Sequence, residues 1–180
     1  MQQEAWLSGA LEGVSPMLMP AAHALIQAAR DVREATKNLT EMEVWAKPND
    51  VPSVGFHLLH IAGSCDRLLT YARGEKLSAE QFTALAAERE INHSMNAALL
   101  TQKAITEIEK VNEEISLMLD KTLFEKRTVG RREMPTNVFG LLFHIAEHTQ
   151  RHVGQIIATA KIVHLAKTKT RFNTKRVFKK

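Results

Sequence analysis

Apolar residues at Leu18, Leu25, Val32 and Leu39, with Ala22, Ala28 and Ala35 between them, recur at spacings of three and four. Such a stripe predicts a long helix with one face on a core. Pro16 and Pro20 mark its start. Thr40-Glu41-Met42-Glu43 then has the form of a capping box and opens a short connector helix, which Pro48-Asn49-Asp50 closes.

Ser53 is the next N-cap candidate. From Val54 to Arg73 only Gly55 and Gly63 interrupt the helical pattern, until Gly74 supplies a C-cap. This second long helix is apolar nearly all round, through Phe56, Leu58, Leu59, Ile61, Ala62, Cys65, Leu68, Leu69 and Ala72, and is expected to be the most buried. Ser78 with Gln81 begins another short helix. From about Ser94 the stripe Ala98, Ile105, Ile108, Val111, Ile115, Met118 predicts a third long helix. Residues 121–135, with Gly130 at the centre, read as an irregular loop or a short hairpin. A fourth long helix opens at Thr136 and is expected to end near Leu165. Four helices of 20 or more residues, no alternating strands and no internal repeat predict an all-α four-helix bundle. The connection from Gly74 to His93 is too long for a simple hairpin, so at least one crossover is expected.

Composition narrows this picture in two places. The chain has 180 residues, enough for one domain with a full core, and its single cysteine excludes an intramolecular disulfide framework and any Cys-rich zinc module. The net charge is +4, but eight basic residues and no acid lie between Lys161 and Lys180. Without them, 16 basic residues face 20 acidic ones. The basicity therefore reads as a solvated end, and the expected division is a domain at 1–165 followed by a basic tail at 166–180. Nucleic acid is not an expected partner. No stretch reaches the ~18 uncharged apolar residues of a membrane span, and the first residues lack the positive region of a secretory leader. A cytoplasmic location is expected, with no membrane partner.

The informative count is histidine, of which there are eight. On the fourth helix, Val138, Leu141, Ile145, His148, His152, Ile156 and Thr159 follow one stripe, so two imidazoles take positions that the pattern assigns to the core. His144 lies about 40° to one side at about 100° per residue. A pair at i and i+4 can hold one metal ion from one helix face, but a chelate needs a further ligand. The second helix offers His60, or His57 about 60° away around the same helix; spacing leaves either able to point inward. Three neutral imidazoles would leave positions open for water or substrate, as in a catalytic site. They would also find in the ion the partner that burial demands.

Competing motifs fail on particular residues. His144-Ile145-Ala146-Glu147-His148 fits H-x-x-E-H, but no Asp or Glu follows Glu147 to complete a peptidase site. Glu90-Ile91-Asn92-His93 is the only Glu-x-x-His, which is too few for a di-iron centre. Phosphate-binding, dinucleotide-binding and serine-esterase motifs are missing. Cys65, on the apolar second helix, is expected to be a small core residue rather than a nucleophile. No role is found for His23, His93 or His164.

With these residues in view, the chain resembles the DinB-like (DinB/YfiT) superfamily of metal-dependent bundle proteins over about residues 15–165. Two segments carry the resemblance: Ser53-Val54-Gly55-Phe56-His57-Leu58-Leu59-His60-Ile61-Ala62-Gly63, and the run from His144 to Ile156. The latter run is similar to the family's H-x-x-x-H-R-G-Q-[IV] signature, with Val153 where Arg is usual. The resemblance implies an up-down-down-up bundle and a divalent ion, zinc, nickel or iron, held by His60, His148 and His152. It favours His60 over His57 and makes His144 a neighbour. It further implies a metal-dependent thiol transferase or isomerase using a low-molecular-weight thiol such as mycothiol, bacillithiol or glutathione, with a homodimer as the common assembly. Glu147 and His144 are the candidates for proton handling or ligand orientation. The alternative is a non-catalytic, stress-related homodimeric bundle that binds metal.

Overall fold

The computed structural model describes residues 3–177, with side chains described as far as Leu165. Among the described residues there are six α-helices: α1 (Met19–Thr36), α2 (Glu41–Trp45), α3 (Val54–Ala72), α4 (Ala79–Ala87), α5 (Ala97–Leu117) and α6 (Val138–Val177). Between α5 and α6 lies a two-stranded antiparallel hairpin of β1 (Lys126–Val129) and β2 (Met134–Asn137), with Lys126 opposite Asn137 and Val129 opposite Met134. The glycine-centred segment is thus a hairpin, with Gly130 at φ +72° in its turn.

Local signals set most helix starts. The Thr40 hydroxyl accepts from the Glu43 amide while the Glu43 carboxylate accepts from the Thr40 amide, and Ser78 and Gln81 repeat the arrangement at the head of α4. Ser53 and Asn96 cap α3 and α5 by the side chain alone, accepting from the Phe56 and Leu99 amides. Gly74, at φ +80°, follows α3 in the left-handed conformation that ends helices.

The long helices differ from expectation in extent. α1 and α3 have 18 and 19 residues rather than 20 or more. α1 ends at Thr36, so Leu39 reaches the core from the following loop. Ala98 is exposed, and Ala97, Leu100 and Ala104 form the buried start of the α5 stripe instead. α6 begins at Val138 and runs to Val177, through the region expected to be a tail. The tail's side chains, 166–180, lie outside the described residues.

α1 packs on α5 and α6, and α3 packs on α5 and α6. Where α1 ends, its Thr36 hydroxyl meets that of Thr101 at the start of α5, at 2.7 Å. At the end of α3, Arg73 reaches Glu114 near the end of α5 at 3.3 Å. Gln150 donates to the Ala24 carbonyl at 2.6 Å, and farther along both helices Ala35 and Ala160 border one groove. Between the helices Leu18, Leu25, Leu58, Ile61, Ile105, Ile108, Ile145 and Ile156 are buried.

Both ends of α3 meet fixed groups. At its start the Trp45 ring lies over Gly55, where a Cβ would come within 2.7 Å of the indole, and the indole N–H donates to the Met95 carbonyl at 3.2 Å. At its end Arg127 of the hairpin donates through Nε to the Ala72 carbonyl at 2.7 Å. Among the described residues no helix is long and apolar enough to cross a membrane.

Candidate metal centre

α3 and α6 lie against each other so that two histidines of each face across the contact. His60 Nε2 is 2.9 Å from His148 Nε2, and His57 Nδ1 is 2.9 Å from His152 Nδ1. The His60 ring centroid is 4.5 Å from that of His152. His60, His148 and His152 each offer one ring nitrogen, and those nitrogens all lie within 4.8 Å of one another. The three residues expected as ligands are therefore brought together by the fold. They are half-buried rather than in the deepest positions. Thr149 and Val153 take those places, at 0% and 1% exposure, one residue farther along the helix. This corrects the sequence expectation that His148 and His152 lie on the core stripe. A ligand at the margin of a core can reach both an ion and whatever approaches the ion from solvent.

Electrostatics keeps His148 and His152 of the cluster, and the neighbouring His57, in the form a cation requires. Burial, reinforced by the neighbouring His60 imidazole, pushes His152 down to about 3 and His57 and His148 down to about 4. At neutral pH all three are uncharged and hold a lone pair. Unprotonated imidazole is the form that binds zinc, nickel or iron. The donor set thus fits a divalent ion of that group, with three nitrogens and no thiolate.

A hydrogen bond at the edge of the cluster selects the tautomer of His60. Glu88 Oε2 lies 2.7 Å from His60 Nδ1. A carboxylate can only accept there, so the proton sits on Nδ1 and the His60 Nε2 lone pair faces His148. His57 is more deeply buried than His60, at 4% exposure, and its Nε2 has no partner. Its Nδ1 meets His152 Nδ1, which ties up that edge of the His152 ring. His57 is therefore a neighbour in contact with His152 rather than one of the clustered three.

On the solvent side, His144 donates to Glu147 at 2.7 Å and Arg151 donates to the same carboxylate oxygen at 2.8 Å. Burial works to raise Glu147, but the hydrogen bonds from Arg151 and His144 outweigh it and hold the carboxyl below the usual range. The His144 ring lies 5.3 Å from that of His148. Glu147 and His144 thus flank the cluster without joining it. Val153 packs in the core and brings no charge beside His152.

Cys65 is fully buried against Thr149, and burial pushes its thiol up to about 12. It is inert core, as its place on the apolar helix implies. In the native protein iodoacetamide should leave Cys65 unmodified over hours at neutral pH, with one adduct per chain forming on denaturation. Mass spectrometry showing rapid native labelling would contradict the buried placement.

The site residue missed by sequence reasoning is Glu88, which closes α4 at 5% exposure and holds His60 from the crossover connection. Its neighbours Ala86, Ala87, Arg89 and Glu90 carry no periodic signal that points it inward. Only the histidine 28 residues away reveals it.

A helical fold brings three imidazoles together in an arrangement that could hold a divalent ion. The family model for the DinB superfamily matches residues 24–156, and the chain belongs to that superfamily. No curated protein matches the chain.

Proposed function

We propose that this DinB superfamily protein is a metal-dependent thiol transferase or a related enzyme, with its ion held by His60, His148 and His152. The observation that carries the reading is the convergence of those three ring nitrogens within 4.8 Å. The accompanying architecture is an up-down-down-up four-helix bundle. Its support is the end-to-start contact of α1 with α5, the end-to-end contact of α3 with α5, and the matched order of contacts along α1 and α6.

A divalent ion held by His60, His148 and His152 would supply Lewis acidity of the kind that lowers the pKa of a thiol beside it. The chain's own contribution is separate. His57 and Glu88 hold two of the ligand rings by their far nitrogens. Glu147, kept ionised by Arg151 and His144, stands beside His148 as a base able to accept a proton from an incoming group. Its carboxylate is about one-third exposed, so a substrate can reach it.

Protein purified without chelator should retain close to one equivalent of zinc, nickel or iron per chain. Stripping it with chelator should lower the melting temperature, and restoring the ion should raise it again. An ion present at 100 times its Kd stabilises by about 2.7 kcal/mol. Less than about half an equivalent on purification, together with no thermal shift on adding zinc or nickel, would sink the reading. Metal retention without turnover on a panel of low-molecular-weight thiols and electrophiles would favour the non-catalytic metal-binding alternative.

A further inference from the structure

Glu88 is buried and uses both carboxylate oxygens on different partners. Oε2 accepts from His60 Nδ1 at 2.7 Å, and Oε1 accepts from Arg67 Nη1 at 2.6 Å. Arg67 is itself buried, at 8% exposure, and sits two turns along α3 from His60. Carboxylate and guanidinium meet over Gly63, where a Cβ would overlap both Glu88 Oε1 and Arg67 Nη1. The glycine that interrupts the apolar helix is thus the place where the crossover connection comes down on α3.

We propose that Glu88, clamped by Arg67 in the space left by Gly63, is the positioning residue that sets the tautomer and orientation of His60. The proposal rests on the three-histidine reading of the metal centre and assigns a role to residues outside it. One oxygen of the carboxylate keeps the proton on His60 Nδ1, which directs the Nε2 lone pair at His148 and His152. The other oxygen is pinned by Arg67, so the carboxylate cannot turn away. An outer carboxylate on a ligating imidazole raises its basicity as well as fixing its plane. A buried ion pair serving stability alone would have no need of the imidazole. Arg67 would satisfy the carboxylate, and His60 would be free to take either tautomer.

The test uses the full-length protein and has two arms. In the first, nitrogen-15 NMR of histidine-labelled, metal-free wild type reads the tautomer of His60 at neutral pH, assigned by comparison with a His60→Ala sample. The expected result is the Nδ1–H form; the Nε2–H form would overturn the proposal. In the other arm, cobalt(II) and zinc(II) affinities and the cobalt visible spectrum are compared for wild type, Glu88→Gln and Gly63→Ala. Each variant should bind roughly 10- to 100-fold more weakly, the range found for outer partners of metal ligands, with an altered cobalt spectrum. A folded Glu88→Gln protein that binds cobalt as tightly as wild type, with the same spectrum, would show the carboxylate to be structural only. If that variant does not fold, the wild-type tautomer decides. Wild type that binds neither metal would remove the metal-centre reading, whereas the tautomer would still report whether Glu88 controls His60.

Discussion

Alanine at position 152 should abolish the metal-dependent rise in melting temperature and weaken zinc binding by more than about 100-fold, beyond the 10- to 100-fold loss typical of an outer partner. His152 is one of three donors, so its removal leaves two imidazoles, on different helices, to hold an ion that normally takes at least three protein ligands. The substitution also frees His57 Nδ1, whose other ring nitrogen is already without a partner. Some metal-free stability should therefore be lost as well. Titration calorimetry with zinc, read beside melting curves with and without the ion, separates the two effects. A His152→Ala protein that retained the wild-type zinc affinity would place the ion elsewhere.

Acid should destabilise the metal-free protein well before ordinary carboxylates titrate. His57, His148 and His152 are pushed down to about 4, 4 and 3 in the fold from an ordinary value of 6.5. In the unfolded chain they take up protons as pH falls through 6.5, while in the fold they remain neutral. The unfolded state then binds more protons, so stability falls with falling pH. The contribution is complete above about pH 6.5 and is lost progressively towards pH 4 and 3. Solvent screens the half-exposed His148 and His152, so the expected loss down to pH 4 is about 2 to 4 kcal/mol. With zinc present the ion must leave as its ligands protonate, and metal release should follow the same acid limb. Urea denaturation of the stripped protein across this range measures the slope. A His57→Leu variant should flatten it, and a flat wild-type curve between pH 7 and 5 would refute the burial argument.

Legible in the sequence was what neighbours along the chain decide. The capping boxes at Thr40 and Ser78 need only residues three apart, and both form as their spacing predicts. The buried stripes of α1 and α5 follow from helical periodicity, although the latter starts at Ala97 rather than Ala98. Periodicity placed His148 and His152 on the right helix but one position too deep. Thr149 carries a small polar side chain and gives no sign that it is the buried member. Between His57 and His60 the helix wheel could not choose, because 60° separates two rings that both approach α6. What separates them in the fold is the Glu88 carboxylate on one nitrogen of His60 and the contact of His57 with His152 Nδ1. Such tertiary contacts leave no trace in local spacing.

The indole over Gly55 and the Arg127 guanidinium on the Ala72 carbonyl act as stops at opposite ends of one helix. Sliding α3 along its axis by one residue, about 1.5 Å, would drive Trp45 into backbone that carries a side chain and break the Arg127 bond. The distinction between His57 and His60 is a matter of axial register, since they are three residues, or about 4.5 Å, apart. Two contacts that involve no imidazole therefore hold the register in which each histidine meets its partner across the helix pair. Which imidazoles cluster is thus a mechanical property of how α3 is seated as much as a chemical property of the rings.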